Sequence, residues 1–362
     1  MKFPLVRPDI PAIEEWVALT ESIYSSNQYS NSGPVWKLLN ERVISQINTE
    51  SCIGVANNTV GQIAALQALD VAGKQVLLSN FTFAATIQAV IQAGGIPVLA
   101  DVDPNTWELS LETVATALDQ GFKPSVVVQT RVFGKREDTS KLHEFLSALG
   151  IDFLLDSAAA YPLAPKNHAE KGLREVFSMH ATKVLGVGEG GLVVGDGNFI
   201  NEVQRRVNFG FFEDGTYCDG SNAKMDEFSA ARGVAALESF HSIALRRAQF
   251  VEETYRELFP RETFSHIPIS HSQPWSLFPV KFNAEEQLIA FKTKLESEGV
   301  ATKRYYFPSV LTGYKGTVTP LRVQILDVSE DLSKTILCLP VYSKYDKSES
   351  EFFRNVIARA IS

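Results

Sequence analysis

Cysteine is scarce in this chain: three residues in 362, Cys52, Cys218 and Cys338, far apart and in no CxxC or metal-ligand spacing. That pattern excludes a disulfide scaffold and a thiolate metal centre, and the thiols read as those of a reducing compartment. Long apolar runs are missing as well. None reaches the roughly 18–20 residues that a membrane span needs. The N-terminal stretch MKFPLVRPDIPAIEEWV carries prolines and acids where a secretion signal has its apolar centre. Basic residues are outnumbered, 34 against 42, and the formal charge of -8 leaves no broad cationic face for nucleic acid. One local basic pocket for a phosphorylated ligand remains compatible with that balance. The expectation is a cytoplasmic protein with no bound metal and neither membrane nor nucleic-acid partners.

Apolar residues make up 45% and charged residues 21%, enough for a sizeable buried core. The length is more than twice that of a typical domain, so two units are expected. Residues 1–245 read as an N-terminal arm followed by a large unit, and 246–362 as a smaller α+β unit. From about residue 50 to 200, short apolar β-branched runs alternate with helix-period segments. The runs at 75–79, 97–102, 125–130, 152–157 and 191–195 predict strands; 59–69, 86–93, 111–118 and 140–149 predict helices. Such alternation gives a mainly parallel sheet with helices on both faces, an α/β fold whose ligands bind at the carboxyl ends of the strands. A long charged helix is expected over 224–257. Beyond it come a strand near 275–281, a helix at 285–298 and later runs at 323–325 and 335–339. The first forty residues form an arm with a loop at 29–34. Internal repeats and low-complexity tracts are absent.

Four segments carry candidate chemistry. In FSMHATKVLGVGEGG, ending at Gly191, Lys183 stands between two apolar runs before a glycine-rich turn. Desolvation there favours the neutral amine, the form that bonds to a carbonyl carbon; a surface lysine beside a flexible loop is the plain alternative. In LLDSAAAYP, Asp156 ends an apolar strand and faces the ligand edge, or else caps the next helix. GVANNTVGQIAALQAL places Asn58 and Thr59 at a helix N-terminus, which suits either a phosphate or an ordinary cap. In SNFTFAAT, Phe83 follows a strand end, where a ring can stack on a flat ligand or fill the core.

The joint order of these segments is more specific than any one of them. With PVLADVDPNTWELS, VFG, SNAKMDEFSAA and LCLPVY, it resembles the DegT/DnrJ/EryC1/StrS group of pyridoxal-phosphate (PLP) dependent sugar aminotransferases over nearly the whole chain. The resemblance implies a fold-type-I architecture, with a mainly parallel seven-stranded-type sheet flanked by helices as the PLP-binding unit. It implies that Lys183 bonds to PLP and later moves the substrate proton. Asp156 pairs with the pyridinium nitrogen, an arrangement that makes the ring an electron sink. Phe83 stacks on the ring, and Asn58, Thr59 and Ser178 hold the phosphate. Asn222 matches an asparagine that reaches the cofactor of a second subunit, which implies a homodimer with a shared site.

Five positions depart from the family pattern. Ala159 stands where a Gln or His contacts the ring hydroxyl, Arg131 replaces a His, Lys224 an Arg, and Asn57-Asn58 a Ser-Gly pair. KRYYFP resembles a stretch of the members that aminate dTDP-linked keto-6-deoxy hexoses, so Arg304, Tyr305 and Tyr306 are candidate sugar-nucleotide contacts; packing is the alternative for the tyrosines. His180, three residues before Lys183, is either a substrate contact or a satisfied polar neighbour. The implied reaction moves an amino group from L-glutamate to a keto carbon, at position 3 or 4, of a nucleotide-linked, dTDP-type deoxysugar. The implied pathway makes an O-antigen, S-layer or antibiotic sugar. A cyclitol ketone substrate, or a degenerate binding protein of the same fold, are the other readings. Sugar dehydratases of the group carry His in place of the lysine, and Lys183 argues against that activity.

Overall fold

The computed structural model describes residues 2–165, 172–260 and 265–361. The N-terminal arm is helical: α1 (Ile13–Ser26) and α2 (Pro34–Ile47) are joined by a turn in which Asn27, Asn31 and Ser32 adopt positive φ. Pro34 supplies the first residue of α2, where its missing N–H costs nothing. The buried carboxylate of Glu227 accepts hydrogen bonds from Val35 N at 2.7 Å and Trp36 N at 3.2 Å. An anion so placed satisfies orphan amides and complements the helix dipole.

Strands and helices then alternate: β1 (Ser51–Val55), α3 (Asn58–Ala68), β2 (Gln75–Ser79), α4 (Ala84–Gln92), β3 (Ile96–Ala100), α5 (Leu111–Asp119), β4 (Pro124–Thr130), α6 (Ser140–Ala148) and β5 (Asp152–Asp156). After these come β6 (Arg174–Ser178), β7 (Gly191–Gly195), α7 (Gly197–Val207) and the long α8 (Glu227–Tyr255). The described C-terminal elements are β8 (Ser265–His266), β9 (Leu277–Lys281), α9 (Glu285–Ser297), α10 (Val310–Gly313), β10 (Leu321–Arg322), α11 (Asp327–Thr335), β11 (Ile336–Pro340) and α12 (Lys347–Ile361).

Among the described residues the main sheet runs β1-β7-β6-β5-β4-β2-β3-β10, and only β7 opposes the rest. The expected mainly parallel sheet is therefore present, extended at its edge by the two residues of β10, which pair with Val98 and Leu99. The run at 323–325 forms no strand; pairing stops at Arg322, although Val323 N still bonds Leu99 O at 3.0 Å. Strands β4 and β5 are buried along almost their whole length, as a parallel sheet covered by helices requires. Helix α3 packs with α4 and α7, while α1 and α2 pack with α8.

A second sheet, β11-β9-β8, anchors a separate aromatic-rich cluster of α8, α9 and α12. Phe81, Trp107, Val132 and Phe133, from the carboxyl-end loops of the main sheet, belong to this cluster. The second core thus reaches over the edge where the candidate residues lie. The N-terminal segment is fastened there by Arg247, whose guanidinium is fully buried and lies 2.8 Å from Asp9. Replacing Arg247 with Met leaves Asp9 as an uncompensated buried charge; the expected cost is about 3–5 kcal/mol, read from urea unfolding. A loss within the error of the urea midpoint would show Asp9 to be satisfied by Ser343 alone.

Candidate active site

The register of the sheet brings distant residues to one edge. Thr130 pairs with Asp156, Asp156 with Val176, Ser178 with Gly191, and Gly191 with Val55, which leads into α3. At the N-terminus of α3, the Asn57 side chain accepts from Val60 N at 3.1 Å. The Asn58 side chain turns inward: Nδ2 donates to Val176 O at 3.3 Å and Oδ1 accepts from Gln62 Nε2 at 2.8 Å. The first-turn amides of Asn58 and Thr59, which have no carbonyl partner within the helix, are then the donors for an anion. Gly191 makes this approach possible. A Cβ there would lie 2.7 Å from the carbonyl carbon of Asn57 and 2.8 Å from the amide nitrogen of Asn58. Ser178, across the ladder from Gly191, is buried beside the same helix end.

Lys183 lies in the link between β6 and β7. The link is closed by Met179 N to Gly190 O at 2.9 Å and Ala181 N to Gly188 O at 2.8 Å, with Lys183 N on His180 O at 2.8 Å. Burial pushes the Lys183 amine below the ordinary 10.5, and the negative charge of Asp156 opposes that shift. Of the two influences burial is the larger. Asp156 is buried at the end of β5, and burial pushes its carboxyl above the ordinary 3.8. Hydrogen bonding by Thr86, Gln62 and the Ala158 amide, and then the charge of Lys183, work against the rise. The two groups so perturb each other at this edge of the sheet.

Phe83 precedes α4 and is 53% exposed, a large ring left open beside buried neighbours. Its centroid is 6.3 Å from that of Tyr305 and 6.4 Å from that of Tyr306. Tyr306 stacks on Phe133 at 5.6 Å, and its hydroxyl is held protonated by burial and by the charge of Asp156. Both tyrosines therefore belong to this edge. The imidazole Nδ1 of His180 accepts from Thr182 N at 3.3 Å, placing the neutral ring's proton on Nε2, 3.7 Å from Glu189. Asn222 is exposed on a segment that bridges β1 through Lys224 and Val55.

Arg304 does not reach this edge as a free cation. Its guanidinium pairs with Glu285 at 2.6 Å, donates to Lys334 O at 3.0 Å and covers the Phe307 ring at 3.5 Å. Arg131 gives its backbone amide to Asp156 O at 2.9 Å, while its side chain runs back to the buried Glu175 at 3.5 Å. Ala159 leaves a small, partly exposed position whose carbonyl would meet any Cβ on Gly134 at 2.8 Å. Residues that sequence reasoning missed also converge here: Thr82, Thr86, Thr130 and Gln62 around Asp156, and Glu108 behind Tyr306. Burial raises Glu108 to about 7 against the nearby charges of Lys135 and Arg131. The Thr82–Thr86 spacing of one helical turn was the available signal for that pair.

An anion-binding helix end, a buried amine, a buried carboxylate and an open phenyl ring fit a phosphorylated pyridine aldehyde. On this fold, they define an enzyme of the fold-type-I PLP-dependent class. The sequence profile of the DegT/DnrJ/EryC1/StrS aminotransferase family matches residues 12–358, and the chain belongs to that family. It is 25% identical to the dTDP-4-amino-4,6-dideoxy-D-glucose transaminase of Shigella dysenteriae, over 98% of this chain and 97% of that protein. Its fold matches that of DesI, solved in the presence of its TDP-sugar product, with TM-score 0.87 and 25% identity over 99% and 93% of the two chains. It also matches NtdA of Bacillus subtilis, solved with bound PMP, with TM-score 0.80 and 18% identity over 99% and 87%. The protein is a PLP-dependent aminotransferase of this family. No helix among the described residues is long and apolar enough to cross a membrane.

Proposed function

We propose that this enzyme transfers an amino group from L-glutamate to a keto carbon of a dTDP-linked keto-6-deoxy hexose. The observation that carries the reading is the Lys183–Asp156 pair at the carboxyl edge of the sheet, within a chain that matches a dTDP-aminosugar transaminase end to end. When bound, PLP supplies an electron sink and a carrier for the amino group. Lys183 would anchor the cofactor, remove the proton from Cα of glutamate in the first half-reaction and deliver a proton to the sugar carbon in the second. Asp156 keeps a protonated pyridine nitrogen in place. The amides of Asn58 and Thr59, with the Ser178 hydroxyl, hold the phosphate, and Phe83 covers the ring face.

His180, Tyr305 and Tyr306 line the sugar side of the cleft. Asn222 serves the cofactor of a second subunit, so the working form is a homodimer; the large unit is residues 1–245 and the small one 246–362. A cytoplasmic enzyme of deoxyamino sugar synthesis, for an O-antigen or related polysaccharide, follows from this reading.

The test is a visible spectrum of the purified protein with PLP. A cofactor band that L-glutamate bleaches, and that a dTDP-4-keto-6-deoxy sugar restores, supports both halves. A band that glutamate leaves unchanged overturns the donor, and bleaching without restoration by any keto-sugar nucleotide overturns the acceptor.

A further inference from the structure

Among the described residues, Asp156 is held without a salt bridge to arginine. Thr86 Oγ1 lies 2.7 Å from Asp156 Oδ2, Thr82 Oγ1 lies 2.9 Å from Thr86 Oγ1, and Thr130 Oγ1 lies 2.6 Å from Thr82 Oγ1. All three hydroxyls are buried, on α4, on the link before it and at the end of β4. A carboxylate has no hydrogen to give, so Thr86 donates to it. Each hydroxyl owns one hydrogen. Thr86 must then accept from Thr82, and Thr82 from Thr130. The anion thereby sets one direction for the whole chain, with three O–H dipoles aimed at it and polarising one another.

On the other oxygen, Ala158 N approaches Oδ1 at 3.3 Å, and the Gln62 amide acts on the same group from α3. The charged or titratable groups facing Asp156 are Lys183 from the β6–β7 link and the Tyr306 hydroxyl, with Arg131 contributing only its amide to the backbone carbonyl. An arginine on Asp156 would cancel its charge. Hydroxyl dipoles hold the anion and leave the full charge to act on a ring cation.

We propose that Thr86, Thr82 and Thr130 are positioning residues whose one-way hydroxyl chain keeps Asp156 an anion and aims its remaining lone pairs at the pyridine nitrogen. The idea rests on the role proposed above for Asp156. Its test uses the full chain freed of cofactor and titrated with pyridoxamine phosphate, which makes no covalent bond to Lys183, followed by tryptophan fluorescence across pH. Thr86→Val removes one hydrogen bond to a charged group, and binding near neutral pH is expected to weaken about tenfold. The sign follows from burial: with the donor gone, Asp156 takes its proton at higher pH, so the loss deepens toward acid and shrinks toward alkali. Thr86→Ser restores the wild-type profile. Thr82→Val moves it the same way by less, and serves if Thr86→Val fails to fold.

An equal loss at every pH, or no loss, overturns the hydroxyl chain. Asp156→Asn separates that failure from a wider one. If this variant binds pyridoxamine phosphate as the wild type does, the cofactor-facing role of Asp156 falls and the chain with it. If it binds weakly at every pH while Thr86→Val keeps the wild-type profile, only the chain falls.

Discussion

Replacing Lys183 with alanine is expected to lower transamination by about four orders of magnitude or more, while the chain still folds and still binds pyridoxamine phosphate. The size of the loss follows from two tasks carried by one atom. The amine holds the cofactor and later shuttles a proton, and no neighbouring side chain replaces it in either. His180 is close in sequence, but its Nδ1 is spent on Thr182 and its Nε2 faces Glu189. Lys183→Arg is expected to be equally inactive, because a guanidinium stays protonated and cannot act as a base. Small primary amines added to the alanine variant should recover part of the rate, in proportion to their basicity. Single-turnover measurement with L-glutamate reads the effect directly. Turnover within tenfold of wild type would remove Lys183 from the chemistry.

The pH profile carries the same argument. Burial lowers the Lys183 amine below 10.5, so the working neutral form is reached at lower pH than for an exposed lysine. A group whose folded pKa is depressed in this way opposes folding where it is charged in the unfolded chain. Stability of the cofactor-free protein should therefore rise with pH on approaching 10.5, and the alanine variant should lose that rise.

Much of this arrangement was legible before any coordinates. Strands β2 and β7 fall where the apolar runs at 75–79 and 191–195 end, because polar or glycine residues bound them on both sides. Strand β6 escaped the pattern for a physical reason. The sequence of β6 is REVFS, and its Glu175 is an acid in a buried strand. That burial becomes acceptable only when Arg131 and Arg136 arrive from elsewhere in the chain, at 3.5 and 3.2 Å. Likewise the cap of α2 comes from Glu227, nearly two hundred residues away on α8.

Lys183 and Asp156 stand out through the joint order of their segments, since each alone also has an ordinary reading. Thr82, Thr86 and Thr130 were not, since a threonine in an apolar run is unremarkable until the register sets it against a carboxylate. Arg304 shows the reverse: a cation suited to a diphosphate by type is held by Glu285 and the Phe307 ring. Charge in a motif identifies a candidate; competing partners in space decide its availability.

Asp156→Asn is expected to cost two to three orders of magnitude in turnover, yet to leave the cofactor-free chain as stable at neutral pH or more so. The amide keeps the shape, and its oxygen still accepts from Thr86, which lies 2.7 Å from Oδ2 in the wild type. What disappears is the negative charge that holds a proton on the pyridine nitrogen, and with it the electron sink that the reaction draws on. The stability term has the opposite sign. Burial raises the Asp156 carboxyl above 3.8 against the pull of Thr86, Gln62 and Ala158. A carboxyl raised on folding contributes stability only while it is protonated, below 3.8, and loses that contribution as pH climbs through its folded value. As pH climbs, the wild type comes to bear a buried charge that the variant never carries. Unfolding midpoints at neutral pH should favour the variant, and the advantage should vanish in acid. Losing both activity and stability at neutral pH would mean that the carboxylate is a structural keystone, its charge satisfied by the fold and not reserved for a ligand. Losing activity alone marks it as a group the fold maintains at a cost, for the sake of the chemistry.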